Sequence, residues 1–329
     1  MLKILAISSR PKYERFDPQD LATAGDSIVF AGESAEPAEA AALAPDAEVV
    51  FADAISPVPA ELINALPQLR MVCSEGVAYN KIDCDAAAKR GIYVTNNAGG
   101  NAGAVAEQAV LLMLGLLHRV VSGDASVRAG RQIEAKHEVF SSGQDDIMDM
   151  TVGIIGLGAI GQALAARLTA FGCRVIYNSH HRKPELEEKM GIEWAERDDL
   201  LAQSDFVSLN CAVTSETTGM ANEAFFAQMK QGARLINTAR GELVDNASLV
   251  KALESGHLAG AGIDTLAPEP VTPDNPLLHL SQEASERVLF SPHIAGITNG
   301  SMRRMQQHMW QNVRLLGEDK RPTCVVNGI

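Results

Sequence analysis

Short apolar runs recur along the chain between polar and helical segments, and their rhythm predicts two successive α/β units. Residues 3–8 are apolar and bounded by Arg10-Pro11, as a buried strand is. Residues 48–52, 70–73 and 92–95 supply three more strand candidates. Helical segments at 62–66, stopped by Pro67, and at 83–89 lie between them. Residues 101–121 predict one long apolar helix with Asn101 as its N-cap. Residues 122–150 are polar, with mixed charge, and read as a connector with some helix and an arm reaching another subunit. From Thr151 onward the strand–helix rhythm is regular. Its strand candidates are 152–155, 174–177, 206–209, 234–237, 260–264 and 288–291, and six strands separated by helices fit a doubly wound parallel sheet. Residues 300–316 form a closing helix. The only compositionally biased tract is the Ala/Glu-rich stretch 34–44.

Length and composition agree with this picture. A chain of 329 residues has room for two cores, and 46% hydrophobic with 21% charged residues is ordinary globular composition. The net charge of −13 argues against nucleic acid and anionic membranes, both of which need a basic surface. No run reaches the length of a spanning helix, and the apolar start, residues 1–7, is too short for a signal segment. The five cysteines, Cys73, Cys84, Cys173, Cys211 and Cys324, form no CxxC pair. A reducing, cytoplasmic setting is expected, with no metal site.

The chemistry begins at Gly156-Leu157-Gly158-Ala159-Ile160-Gly161. This loop follows a predicted strand and opens a helix that runs to Leu168, the context a dinucleotide loop needs. Gly156 permits the tight turn, Gly158 lets backbone approach a pyrophosphate, and Gly161 lets helix pack on sheet. The phosphates then meet free N–H groups at the helix N-terminus. At the end of the second strand an enzyme selecting NAD usually carries an acid for the ribose hydroxyl. Here the chain reads Asn178-Ser179-His180-His181-Arg182-Lys183, without a carboxylate. Ser179, the histidines, Arg182 and Lys183 would tolerate a 2′-phosphate, so NADP is favoured over NAD. The bland alternative is that Arg182 and Lys183 begin a solvated helix face at 184–189.

Three downstream segments carry a carboxylate reader and a proton donor: Asn237-Thr238-Ala239-Arg240-Gly241, Asp264–Glu269-Pro270, and Ser291-Pro292-His293-Ile294-Ala295-Gly296. Arg240, just after a strand, offers a planar, permanently charged fork for a carboxylate. Histidine is the side chain suited to general acid–base work near neutral pH, which makes His293 the candidate, and Glu269 would stabilise its imidazolium form. Arg240, Glu269 and His293 together describe hydride transfer to or from a small 2-oxo acid. His118 reads as core or helix end, His257 precedes a strand, and His279 and His308 show no obvious partner. No HExxH or GxSxG pattern occurs.

These residues carry a resemblance. Over essentially its whole length the chain resembles the D-isomer-specific 2-hydroxyacid dehydrogenases. The carrying segments are Gly76-Val77-Ala78-Tyr79-Asn80-Lys81-Ile82-Asp83, Asn101-Ala102-Gly103-Ala104-Val105-Ala106-Glu107, the glycine loop, Met229 to Gly241, Asp264 to Pro270, and Pro292 to Gly296. The resemblance implies two Rossmann-like domains with a cleft between them. A flavodoxin-like substrate domain would comprise 1–100 plus 297–329, and an NAD(P)-binding Rossmann domain 101–296. It further implies that Arg240 binds the substrate carboxylate with backbone N–H groups at Gly76 and Val77, and that His293 is the acid/base with Glu269 as partner. Asp264 would hold the nicotinamide carboxamide beside His293. Cys211, Ala212, Thr238 and Ala239 would line the cofactor, and a homodimer is expected. Ala78 and Asn80 depart from the family's usual glycine and aspartate, Glu75 places a charge beside the carboxylate loop, and His180 stands where the glyoxylate/hydroxypyruvate reductase branch often has arginine. Two other functions fit the same residues: a nucleotide-sensing corepressor of this fold, and a phosphite dehydrogenase.

Overall fold

The computed structural model describes residues 2–8, 10–16, 27–33, 35–53 and 56–329, and of Lys12 the backbone alone. They form two compact units, 2–101 with 297–329, and 102–296. Ser34, at the start of the Ala/Glu-rich tract, lies outside the described residues.

The first unit is a five-stranded sheet of β1 (Lys3–Ile7), β2 (Ser27–Phe30), β3 (Val49–Ala52), β4 (Met71–Ser74) and β5 (Tyr93–Thr95). All pairs are parallel and the order is β2-β1-β3-β4-β5. β3 and β4 are fully buried, which is why they read as unbroken apolar runs. One face packs on Leu62, Ile63 and Leu66 from the helix Ala60–Ala65 and its end. The other face is covered by Met309, Trp310, Val313 and Leu316 of the long helix Asn299–Gly317, with Trp310 edge-on to Phe51 at 5.8 Å. The sequence reading finds four of these strands. β2 is short, at the sheet edge, and only half-buried, so its apolar signal is weak.

The second unit is a seven-stranded sheet of β6 (Thr151–Ile155), β7 (Arg174–Asn178), β8 (Glu193–Trp194), β9 (Phe206–Leu209), β10 (Arg234–Asn237), β11 (Gly260–Ile263) and β12 (Val288–Phe290). The order is β12-β11-β10-β9-β6-β7-β8, all parallel, the doubly wound arrangement whose direction reverses between β6 and β9. Side chains alternate between two cores. Ile155, Val207, Leu235 and Ile263 point to one; Ile154, Tyr177, Phe206 and Ile236 point to the other. Unpredicted β8 is a two-residue edge strand.

The long helix expected at 101–121 is broken. Ala102–Leu117 packs into the second core, then Arg119 takes a left-handed conformation (φ 48°) before Val120–Arg128 and Gln132–Ser142. Asn101 directly precedes Ala102, but its side chain makes no cap bond: its buried Oδ1 has no hydrogen-bond partner among the described residues. The two later helices bury no residue, and Val121, Ile133 and Phe140 are exposed. No single helix among the described residues is long and apolar enough to cross a membrane.

Candidate active site

Every candidate of the second unit follows the carboxyl end of a strand: Gly156 after β6, Ser179 after β7, Cys211 after β9, Thr238 and Arg240 after β10, Asp264 after β11, and His293 after β12. Open parallel sheets bind ligands at this edge, at the reversal of strand order. Gly156 stands at that reversal with φ +100°, and a Cβ there would lie 2.7 Å from the Asn210 carbonyl after β9. At Gly161 a Cβ would run into the Gly156 carbonyl oxygen. At Gly158 it would meet nothing within 4 Å. The first two glycines are therefore required by the fold, and the third leaves open space beside the N-terminus of the helix Ala159–Ala170.

His293 Nδ1 lies 2.7 Å from each oxygen of Glu269. With Nδ1–H donated to the carboxylate, Nε2 is the nitrogen left for a substrate. His293 itself is left-handed (φ 54°), unusual for a residue with a side chain. Asp264 holds that turn. Its buried carboxylate accepts from Ser291 Oγ at 2.5 Å, Ile294 N at 3.1 Å and Ala295 N at 3.0 Å, and its carbonyl accepts from His293 N at 2.8 Å. The resemblance gave Asp264 a cofactor contact; in the structure its carboxylate is bonded to the histidine turn.

Arg240 is half-buried, and its Nη1 donates to the Ala239 carbonyl at 2.7 Å. Asn237 fixes the turn, its side chain accepting from Ala239 N and donating to the Arg240 carbonyl. Gly241 lets this segment touch the backbone of Leu266 and Ala267, where any Cβ would clash. Asn246 and Asn275 both donate to the Ala267 carbonyl, tying down the loop that carries Glu269.

The loop after β7 holds a network that spacing did not reveal. Glu187 accepts from Arg182 Nε (2.9 Å) and Nη2 (2.8 Å) and from the Tyr177 hydroxyl (2.8 Å), which itself accepts from Lys183 N. The hydrogen bonds from Arg182 hold the Glu187 carboxyl below its usual range, and Glu187 in turn raises the Arg182 guanidinium. Arg182 also stacks over Trp194. Lys183 Nζ donates to the Leu157 carbonyl of the glycine loop at 2.9 Å. His180 and His181 are exposed, 3.2 Å apart, and Ser179 Oγ donates to the His181 carbonyl.

These residues fit a nicotinamide dinucleotide. Besides the open space at Gly158, three buried polar atoms at adjacent strand ends have no partner among the described residues: Asn210 Oδ1, Thr238 Oγ1 and Thr265 Oγ1. Buried polar atoms are normally hydrogen-bonded, so a row of three without partners marks where a polar ligand belongs. Burial raises the thiol of Cys211.

In the first unit the loop after β4 is fixed through its carbonyls. Asn97 N donates to Gly76 O at 2.8 Å and Asn96 Nδ2 to Val77 O at 2.7 Å. Gly76 N–H, expected from the resemblance to face a carboxylate, points instead at Ser74 Oγ (3.3 Å). Opposite the bound carbonyls of Gly76 and Val77, the N–H groups of Val77 and Ala78 face the other way, as planarity of a trans peptide requires.

The glycine loop, the reversal point and the histidine–carboxylate pair define a dinucleotide-dependent oxidoreductase. Residues 110–295 match the family described as D-isomer specific 2-hydroxyacid dehydrogenase, NAD binding domain. The glyoxylate reductase of Korarchaeum cryptofilum is 38% identical over 282 residues, 86% of this chain and 83% of that protein. The D-3-phosphoglycerate dehydrogenase of Mycobacterium leprae is also 38% identical, over 83% of this chain and 50% of its own length. A solved glyoxylate reductase from Paecilomyes thermophila superposes with a TM-score of 0.80 at 31% identity, covering 99% of this chain and 98% of that one. The chain belongs to the D-isomer specific 2-hydroxyacid dehydrogenase family. It is a nicotinamide-dependent 2-hydroxyacid oxidoreductase acting on a CH–OH group.

Proposed function

We propose that this protein reduces a small 2-oxo acid of the glyoxylate or hydroxypyruvate kind, with NADP preferred over NAD. The observation that carries the reading is the His293–Glu269 pair, set at the strand edge that also bears Arg240. The bound nicotinamide supplies hydride in reduction and accepts it in oxidation. His293 Nε2 gives a proton to the ketone oxygen, or takes one from the hydroxyl, while Glu269 balances the imidazolium. Arg240 holds the carboxylate through its guanidinium fork. Within the first unit, the amide pair at Val77 and Ala78 offers two donors of the kind a carboxylate accepts from. On this reading the unit 102–296 is the cofactor domain and the other the substrate domain.

The NADP preference is supported by the absence of a carboxylate from residues 178–183 and by Lys183 and the two histidines there. A homodimer is supported by the unburied helices Val120–Arg128 and Gln132–Ser142 with their exposed Val121, Ile133 and Phe140. A cytoplasmic setting agrees with five free cysteines.

The test follows loss of reduced-nicotinamide absorbance with glyoxylate and hydroxypyruvate, comparing NADPH with NADH. Turnover that favours NADPH and collapses in His293→Ala supports both parts. Turnover favouring NADH removes the cofactor preference, and no turnover across a 2-oxo acid panel removes the substrate assignment.

A further inference from the structure

Outside the reacting residues, the first unit contains a hydrogen-bond relay that ends on the carboxylate loop. Asn97 is 1% exposed and sits just beyond β5. Besides accepting at its carbonyl from Gly100 N, it makes three hydrogen bonds to the end of β4 and the loop that follows, and one to His308. Its Nδ2 donates to Ser74 O (3.2 Å) and Glu75 O (3.0 Å), and its N donates to Gly76 O (2.8 Å). Both amide hydrogens being used, its Oδ1 must accept, and it lies 2.7 Å from His308 Nδ1. The network thus assigns the hydrogen to Nδ1 of His308. His308 Nε2 lies 2.7 Å from Thr323 Oγ1 and accepts its hydroxyl hydrogen, and the Thr323 backbone is held by the side chain of Asn312, on the same helix as His308. His308, without an evident partner in the sequence, is the middle of a chain from Thr323 through Asn97 to the Ser74 and Glu75 carbonyls.

We infer that Asn97, oriented by His308, is a positioning residue that aims the Val77 and Ala78 N–H groups at the substrate carboxylate. The argument is geometric. A peptide plane rotates as one body, so fixing a carbonyl fixes the N–H of the next residue in the opposite direction. The backbone N–H of Asn97 fixes the Gly76 carbonyl and hence the Val77 N–H, and the Asn97 side chain keeps that backbone in place by clamping residue 97 to the Ser74 and Glu75 carbonyls. The neighbouring Asn96 fixes the Val77 carbonyl and hence the Ala78 N–H. Two successive N–H groups so aimed form a concavity for an anion. An Asn97 side chain left to rotate would meet the Ser74 and Glu75 carbonyls less well and hold its own backbone N–H less firmly against Gly76. The hydrogen bond from His308 selects the one amide orientation in which both Nδ2 hydrogens meet Ser74 and Glu75. This inference rests on the proposed carboxylate role of the loop and adds the residues that hold it in shape.

The test uses the full-length protein and the variants Asn97→Ala, His308→Leu and His308→Gln. With glyoxylate as substrate, Asn97→Ala and His308→Leu are expected to raise KM by about tenfold, the scale of one lost hydrogen bond to a charged group, with kcat changed by less than roughly twofold. His308→Gln keeps a side-chain donor and is expected to recover most of the loss. A merely structural role would lower thermal stability and leave KM where it was, and that result overturns the inference. A second readout needs no turnover. Oxamate, a redox-inert 2-oxo acid analogue, is added to labelled protein and the amide signals of Val77 and Ala78 are followed. Shifts in the wild type that weaken in His308→Leu support the relay, and absence of shifts at both amides overturns it. Wild-type protein that turns over glyoxylate while the variants keep its KM defeats the relay alone. Wild-type protein without turnover defeats the proposed function, and the amide signals then decide the relay.

Discussion

His293 meets Glu269 through Nδ1, at 2.7 Å from both carboxylate oxygens, so the opposite ring nitrogen is the one that can exchange a proton with substrate. Loss of the ring in His293→Ala should lower kcat by about a hundred- to ten-thousandfold, the usual contribution of a general acid. Glu269→Gln keeps the shape and removes the charge. It should cost roughly ten- to a hundredfold in kcat, with cofactor binding unchanged. Steady-state rates beside a cofactor titration check this; equal losses in both would contradict a role confined to the histidine.

Two glycines of one loop should fail differently. Gly161→Ala forces a Cβ into the Gly156 carbonyl, so both the melting temperature and dinucleotide affinity should fall. Gly158→Ala adds its methyl to open space, so melting should stay within about 1 °C of wild type while dinucleotide binding weakens by roughly tenfold or more. Thermal denaturation and fluorescence titration with NADPH separate the two. A Gly158→Ala protein that binds normally would place the pyrophosphate elsewhere.

Glu187 is expected to limit affinity for a 2′-phosphate, because it occupies two donors of Arg182 and cancels its charge. Glu187→Gln should tighten NADPH binding by about threefold to tenfold and leave NADH binding unchanged. The comparison is best made at low and high salt, since exposed charges are screened. Equal effects on both cofactors would mean that Arg182 does not meet the phosphate.

His308 should make stability depend on pH. Burial lowers its pKa from the ordinary 6.5. As pH falls through 6.5 the unfolded chain takes up a proton that the folded protein resists, so stability present above that pH is lost on acidification toward the folded value. Between pH 7.5 and 5.5 the wild type should lose more melting temperature than His308→Gln, whose side chain does not titrate. Parallel losses in the two proteins would show that His308 binds its proton equally in both states.

Much of the fold was legible because parallel strands buried on both faces are continuous apolar runs. β6, β9 and β10 emerge from sequence within a residue of their observed ends. β2 and β8 were not legible, since half-buried edge strands lack that signal. The helices Val120–Arg128 and Gln132–Ser142 bury nothing, so no periodicity announces them. At the site, the pairing of Glu269 with His293 was readable from residue type and chain order. The contacts of Asp264 with the turn of His293, of Glu187 with Arg182, and of His308 with Asn97 were not. Each joins segments through side-chain geometry that only the folded sheet edges or the closing helix supply.

The five-stranded sheet comes from the first hundred residues, yet one of its faces is closed by Met309, Trp310, Val313 and Leu316. On the ribosome that face stays bare while the whole of 102–296 is synthesised. The later-made unit is contiguous and closes as it emerges, whereas the earlier-made one waits for the last helix. A chain that stalls before residue 310 leaves Ile4, Phe51 and Met71 open to solvent, an apolar surface of the kind that chaperones hold and quality-control proteases clear.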